Sequence, residues 1–188
     1  YISSLHYVME ACAENKISLI VLDRDNLNSN YVDGPVLDIN FKSFVGMHKV
    51  PVLYGMTIGE YALMINGENW LSDSLICDLT IISFSEKLDY FLTDSVLFHP
   101  PSPNLKSNLA IALYPTLCFF EGTVLSVGRG TDFPFQIIGS PYYKNKNFIS
   151  LGGNNIYDQI EIEKYSFFPT SRIECKSPKF EKEHCFGV

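Results

Sequence analysis

Residues 121 to 135, EGTVLSVGRGTDFPF, hold three glycines, one arginine and two carboxylates within fifteen positions. Glycines at this density let backbone come close to something, and a phosphate, a sugar or another part of the chain would each qualify. Spacing excludes the known phosphate cradles. Gly122, Gly128 and Gly130 do not fit G-x-G-x-x-G, since the sixth position counted from Gly128 is Phe133, and no Gly-Lys-Ser/Thr follows. What remains is a set of groups suited to polyhydroxyl ligands: Glu121, Thr123, Ser126, Arg129, Thr131 and Asp132. Hydrolysis of a glycosidic bond uses a pair of Asp or Glu side chains, so carbohydrate chemistry is open to this loop. Internal pairing is open to it as well: Glu121 can bond the Gly-rich turn, and Arg129 can pair with Asp132.

Two other regions offer candidates. Asp23 and Arg24 close the apolar run SLIVLD, at the carboxyl edge where open α/β sheets place ligands; a surface ion pair is the alternative. HPPSPN, residues 99 to 104, is a stiff proline segment that would present Ser102 and Asn104 to a ligand or use them in turns. His6, His48, His99 and His184 have no triad or metal spacing, and surface or core roles suit them. Cys12, Cys77, Cys118, Cys175 and Cys185 form no C-x-x-C pair and no metal-type pattern. Cys12 and Cys77 read as small buried hydrophobes. Cys118, Cys175 and Cys185 could include a disulfide in an exported protein.

The elements that must position these residues follow from periodicity. Leu5, Val8, Met9 and Cys12 fall at helical spacing, so the chain opens on an amphipathic helix. SLIVLD then reads as a strand buried on both faces in a parallel sheet. A helix leading into a parallel strand implies an earlier strand, and hence a missing N-terminal portion. Residues 25 to 54, rich in Asn, Gly and Pro, read as a long connection of the kind that is often functional. Thr57 and Glu60 have capping-box spacing ahead of a helix that buries Ile58, Tyr61, Ala62 and Ile65, and capping accounts for Glu60 without catalysis. CDLTIISF is the next strand. LAIALYPTLCFFEG reads as a largely buried helix interrupted at Pro115, and QIIG as a short strand. Residues 144 to 158 read as exposed, and the tail from Tyr165 shows little periodicity.

Composition sets limits on the whole. With 188 residues at 46% hydrophobic, the chain can bury a core and suits one full domain or two small ones. A net charge of −7 with scattered Lys and Arg lacks the basic stripe of a nucleic-acid binder. No run of about 18 apolar residues and no signal peptide is present. The 14 Phe and 11 Tyr suit sugar stacking and an ordinary core alike.

Taken in order, the blocks YISSLHYVMEACAEN…IVLDR, GPVLD…FKSFVG, VPVLYGMTIGE, PPSPN, YPTLCFFEGTVLSVGRGTDFPFQIIG and CFGV resemble the exo-β-N-acetylmuramidase family of glycoside hydrolases across nearly the whole chain. The resemblance implies an α/β fold. Residues 1–105 would be the remainder of a Rossmann-like catalytic domain, and residues 106–188 the start of a smaller α/β auxiliary domain. It also implies release of N-acetylmuramic acid from non-reducing ends of peptidoglycan fragments, without metal or nicotinamide cofactor, by an exported protein. Muramyl saccharides would then be the partners, with no nucleic acid and no membrane span. On this reading Glu121 and Asp23 are the catalytic candidates within the chain. Arg24, Asn26, Ser102, Asn104, Thr123, Ser126, Arg129 and Thr131 would bind substrate, with Arg129 taking the lactyl carboxylate or a sugar hydroxyl. Members usually carry Arg-Pro-Asn-Pro where this chain has Arg24, Asp25, Asn26 and Leu27, and many have glutamate where Val127 stands. The family's N-terminal half, with a Pro-Glu-His-Gly motif and its leading catalytic glutamate, has no counterpart in these residues. A truncated, non-catalytic homologue with weak glycan binding is the alternative.

Overall fold

A computed structural model describes residues 2–83, 100–142, 165–173 and 175–188. The chain divides into two compact units, Tyr1–Thr93 and Asp94–Val188.

In the first unit, helix α1 (Ile2–Glu14) leads into strand β1 (Leu19–Leu22), which pairs in parallel with β4 (Leu79–Ile82) from Leu19↔Leu79 to Leu22↔Ile82. The parallel pairing expected of SLIVLD is present, but burial on both faces is not. Val21 is buried and Leu19 packs on the core, whereas Ile20, Leu22 and Ile82 are exposed. A continuous apolar run does not reveal how many faces are covered, and here alternate residues point away from the helices. On α1, Met9 is fully buried with Leu5 and Cys12 packed near it, but Val8 faces outward and His6 is buried instead.

The connection 25–54 is not featureless. Strand β2 (Val32–Val36) pairs antiparallel with β3 (Pro51–Tyr54), with a register irregularity between Asp33 and Val36. Gly34 and Pro35 lie inside β2, whose residues are all exposed, so no alternating pattern marked it. Helix α2 (Ile58–Gly67) begins with the expected capping box. The Glu60 N–H donates to Thr57 Oγ1 at 3.2 Å, and the Thr57 N–H donates to Glu60 Oε2 at 2.9 Å. Tyr61, Ala62 and Ile65 from α2 join Met9, Leu71 and Cys77 in one core.

In the second unit, helix α3 (Asn108–Leu117) is capped by Ser107, whose Oγ accepts from the Ala110 N–H at 3.1 Å. It runs through Pro115 rather than stopping there, without the backbone bond that an N–H at that position would donate. The chain tightens to a 3-10 segment at Cys118–Gly122. Burial on α3 is limited to Ala110 and Ile111, and Phe119 in the segment that follows is exposed, so the stretch is less buried than its apolarity suggested. Strands β5 (Gly139–Ser140), β6 (Tyr165–Phe167) and β7 (Cys185–Gly187) form an antiparallel sheet with β7 in the middle. QIIG thus contributes its end to a sheet, and the tail supplies two strands that periodicity did not show. Ala110, Val127 and Phe135 make one core cluster; Ile137, Phe167 and Cys185 make another. All five thiols are free, so no disulfide links Cys118, Cys175 or Cys185. His99, residues 144 to 158 and the end of CDLTIISF lie outside the described residues.

Candidate functional site

The glycine-rich loop approaches its own protein. Gly128 and Gly130 have φ of +77° and +81°. A Cβ on Gly128 would stand 2.5 Å from the Phe133 carbonyl oxygen, and one on Gly130 would stand 2.5 Å from the Thr170 carbonyl oxygen. Both turns therefore require glycine. Gly122 faces open space.

Hydroxyl groups shape the same turns. Thr131 Oγ1 donates to the Gly128 carbonyl at 2.6 Å and accepts from the Phe133 N–H at 3.1 Å. Thr123 Oγ1 donates to the Phe120 carbonyl at 2.8 Å and accepts from the Leu125 N–H at 3.1 Å. The buried Ser126 Oγ accepts from the Gly128 N–H at 3.2 Å. Lys179 Nζ clamps the loop's start by donating to the carbonyls of Glu121, Thr123 and Leu125 at 2.7, 2.6 and 3.1 Å.

The charges pair differently from the sequence-level alternative of Arg129 with Asp132. Arg129 Nε donates to Glu121 Oε1 at 2.7 Å, and its guanidinium lies 4.8 Å from the centre of the Phe135 ring. Asp132 Oδ1 instead accepts from a terminal guanidinium nitrogen of Arg172, also at 2.7 Å. Arg172 carries no local signal, being 40 residues from its partner, and sequence reasoning missed it. Val127, 4% exposed, belongs to the core beside Ala110 and Phe135. A glutamate there would place a carboxylate among apolar groups.

A cavity of about 270 Å³ opens within the second unit. Asn104 and Thr131 reach its wall, as do Lys106, Ser107, Gln136 and Arg172. Ser102 acts one step behind: its carbonyl accepts from the Leu105 N–H at 2.9 Å and its Oγ from the Asn104 N–H at 3.4 Å. Glu121, Thr123, Ser126 and Arg129 support the loop rather than line this cavity. Amide, hydroxyl and cationic groups on one concave wall suit a small polar ligand with hydroxyl or acid groups.

In the first unit, Asp23 is engaged at the start of α2. Its carboxylate accepts from Thr57 Oγ1 at 2.7 Å, from the Gly59 N–H at 2.8 Å and from the Arg24 N–H at 3.0 Å. A carboxylate at this position satisfies helix N-terminal donors and complements their dipole. Arg24 is exposed. Asn26 Nδ2 donates to the Met56 carbonyl at 3.0 Å, and its Oδ1 accepts from the Asn28 N–H at 3.0 Å, so it holds the turn after the strand.

The first unit also contains a polar chain that the sequence did not disclose. His48 Nδ1 lies 3.0 Å from the Tyr61 hydroxyl, and His48 Nε2 lies 2.9 Å from His6 Nδ1. The Trp70 ring stacks on His48 at 4.5 Å. Burial pushes the His48 imidazole down to about 4, with nearby His6 and Lys42 charges acting the same way. Burial also lowers His6, against the opposing pull of Glu10, and raises the Tyr61 hydroxyl, helped by Tyr54. These groups are neutral at pH 7 and enclosed, which suits them to holding structure. Among the described residues, no cluster of three or more His, Cys, Asp or Glu side chains could hold a metal ion, and no helix is long and apolar enough to cross a membrane.

Comparison with known proteins accounts for both units. Residues 1–109 match the family model described as exo-beta-N-acetylmuramidase NamZ, N-terminal, and residues 112–188 match its C-terminal counterpart. The peptidoglycan beta-N-acetylmuramidase NamZ of Bacillus subtilis is 37% identical over 174 residues, covering 90% of this chain and 41% of that protein. Two crystal structures of DUF1343 family proteins from Bacteroides fragilis each align with 100% of this chain and 48% of their own. One has a TM-score of 0.84 at 43% identity, the other 0.76 at 29%. The chain thus spans less than half the length of each of these relatives.

Proposed function

As a member of the exo-β-N-acetylmuramidase NamZ family, the chain has the ancestry of a glycoside hydrolase, and we propose that it forms part of a site that removes N-acetylmuramic acid from non-reducing ends of peptidoglycan fragments. The observation that carries this reading is the 37% identity with the Bacillus subtilis muramidase over 90% of the chain. Action on wall fragments outside the cytoplasm belongs to the same reading, as does a division into a Rossmann-like remainder (1–105) and an auxiliary domain (106–188).

Cleavage of a glycosidic bond needs two carboxyl groups in different roles, one to protonate the leaving oxygen and one to activate water or stabilise the sugar cation. Glu121, in the second unit, and Asp23, in the first, are each proposed as a candidate carboxylate of this chain, and Arg129, whose Nε donates to Glu121 at 2.7 Å, is proposed to bind substrate. Arg24, Asn26, Ser102, Asn104, Thr123, Ser126 and Thr131 are assigned to binding substrate or shaping the loops that do so.

The engagement of both carboxylates favours a second reading, in which the 188 residues bind glycan without cleaving it. Asp23 is bonded to Thr57 and Gly59, and Glu121 to Arg129. One experiment separates the two. The chain is placed within the Bacillus subtilis relative in exchange for its matching segment, and release of N-acetylmuramic acid from a muramyl disaccharide is followed. The catalytic reading expects turnover by the chimera, with Glu121→Gln or Arg129→Ala lowering kcat/KM at least about tenfold. A folded chimera without turnover supports the binding-only reading. Turnover indifferent to Glu121→Gln, Asp23→Asn and Arg129→Ala would remove these residues from the mechanism.

A further inference from the structure

Three backbone carbonyls of the glycine-rich loop point at one place. The backbone leaves the 3-10 segment extended at Thr123, and the carbonyls of the alternate residues Glu121, Thr123 and Leu125 converge on Lys179 Nζ at 2.7, 2.6 and 3.1 Å. Among the described residues, no backbone N–H donates to any of the three. Carbonyl oxygens carry partial negative charge, so three gathered at one point call for a cation between them. We propose that the Lys179 ammonium is this cation, built into the chain, and that it acts as a positioning residue by holding Glu121 against Arg129. That the pair serves glycoside cleavage rests on the function proposed above; the seating of Glu121 stands on the geometry.

The residue type matters. An ammonium has three N–H donors, and here each has its own acceptor. A guanidinium could not replace it, because its donors lie in a fixed plane rather than around one nitrogen. The base of the side chain is anchored on both sides: Pro178 is buried, and Phe180 packs against the cluster of Ile137, Phe167 and Cys185.

The same tail segment holds the other end of the pair. The Thr170 N–H donates to the carbonyl of Gly130, the residue after Arg129, at 2.9 Å. Arg129 is thus held from Thr170 and Glu121 from Lys179, and the 2.7 Å bond from Nε to Oε1 closes between them. Without the ammonium, the backbone of residues 121–125 is left, among the described residues, with local bonds. The Thr123 N–H and hydroxyl donate to the Phe120 carbonyl at 3.0 and 2.8 Å, and the Leu125 N–H donates to Thr123 Oγ1 at 3.1 Å. Lys179 is exposed, so water can take over the three carbonyls at small cost in stability. Water restores hydrogen bonding but not position. Loss of Lys179 therefore displaces the carboxylate more than it unfolds the unit.

The test uses the nitrogen-15-labelled chain as it stands and follows solvent exchange of two side-chain signals. The Lys179 ammonium should exchange at least about tenfold more slowly than that of the exposed Lys182. The Arg129 Nε–H should be protected, and Glu121→Ala sets its rate without the partner carboxylate. Lys179→Met should bring the Arg129 signal to within about twofold of that rate, and Lys179→Arg should not restore protection; a lysine serving stability alone would leave it unmoved. In the chimera described above, Lys179→Met should lower kcat at least about tenfold, with KM changed less than about twofold. Three results would each overturn the proposal: Lys179 exchanging as fast as Lys182, Arg129 protection that survives Lys179→Met or returns in Lys179→Arg, or an active chimera whose kcat ignores Lys179→Met. If both exchange results hold and the chimera shows no turnover, the catalytic reading alone fails.

Discussion

The His6–His48–Tyr61 chain of the first unit and the charged wall of the second unit's cavity draw on the same resource, polar side chains brought together from distant parts of the sequence. Their surroundings differ. His6 and His48 are 4% and 5% exposed, bonded to one another, with the Trp70 ring stacked on His48. At the cavity, Arg172 and Asp132 meet solvent. Enclosure makes the first set costly to charge and binds it to stability, whereas exposure leaves the second set screened by solvent and easy to rearrange. Substitutions that act on one unit and spare the other put this contrast at risk.

The largest effect is expected at Gly130. A Cβ there meets the Thr170 carbonyl oxygen at 2.5 Å and Pro178 Cγ at 2.7 Å, at a backbone φ of +81°. Gly130→Ala should destabilise the second unit by about 4 kcal/mol, from backbone strain and overpacking together. Gly122→Ala, in open space, should stay within about 0.5 kcal/mol. The chain has a single tryptophan, Trp70, in the first unit, so its fluorescence reports that unit alone. In urea, Gly130→Ala should shift the circular dichroism transition and leave the Trp70 transition in place. An equal shift in both would mean that the units unfold as one and that the contrast between them has no energetic content.

Next in size is the acid response of the first unit. His48 has a folded-state value of about 4 against 6.5 when unfolded. Between these values the unfolded chain binds more protons, so stability is fully present above pH 6.5 and declines as pH falls toward 4. The loss should reach about 3 kcal/mol. Glu10, held below its usual value by bonds from Ser72, contributes above about 4.5 and adds its own loss only at the acid end. The check is the Trp70 urea midpoint followed from neutral pH down to about pH 4.5, across the window between the two His48 values. His48→Phe, which keeps a ring beside Trp70, should flatten the slope. A slope unchanged in that variant would place the titrating group elsewhere.

What could be read in advance was local. The capping box of Thr57 and Glu60 spans a single turn, and the structure forms both of its bonds. The run LIVL announced a strand, and its parallel partner followed. Features held by long-range contacts left no comparable trace. His6 and His48 are 42 residues apart, and Asp132 and Arg172 are 40 apart. Strands β6 and β7 have three residues each, too few for an alternating pattern, and they exist because they pair with one another and, for β7, with β5. The glycine-rich loop falls between these cases. Its glycines signalled close approach correctly, but the object approached, the Thr170 carbonyl oxygen, lies 40 residues further along.

The smallest effect lies inside the second unit, where two ion pairs of equal length differ in exposure. Glu121 and Arg129 are both 34% exposed, while Asp132 is 78% exposed against 35% for Arg172. Both pairs meet at 2.7 Å, so Coulomb attraction at contact does not distinguish them; solvent screening does. A double-mutant cycle with Glu121→Gln and Arg129→Met should give a coupling of about 1 kcal/mol, the contact of the guanidinium with Phe135 cancelling because it is lost with Arg129 in either background. The matching cycle on Asp132 and Arg172 should give less than about 0.5 kcal/mol. If the second coupling equalled the first, Arg172 would be held as firmly as Arg129, and exposure would not be what separates the two pairs.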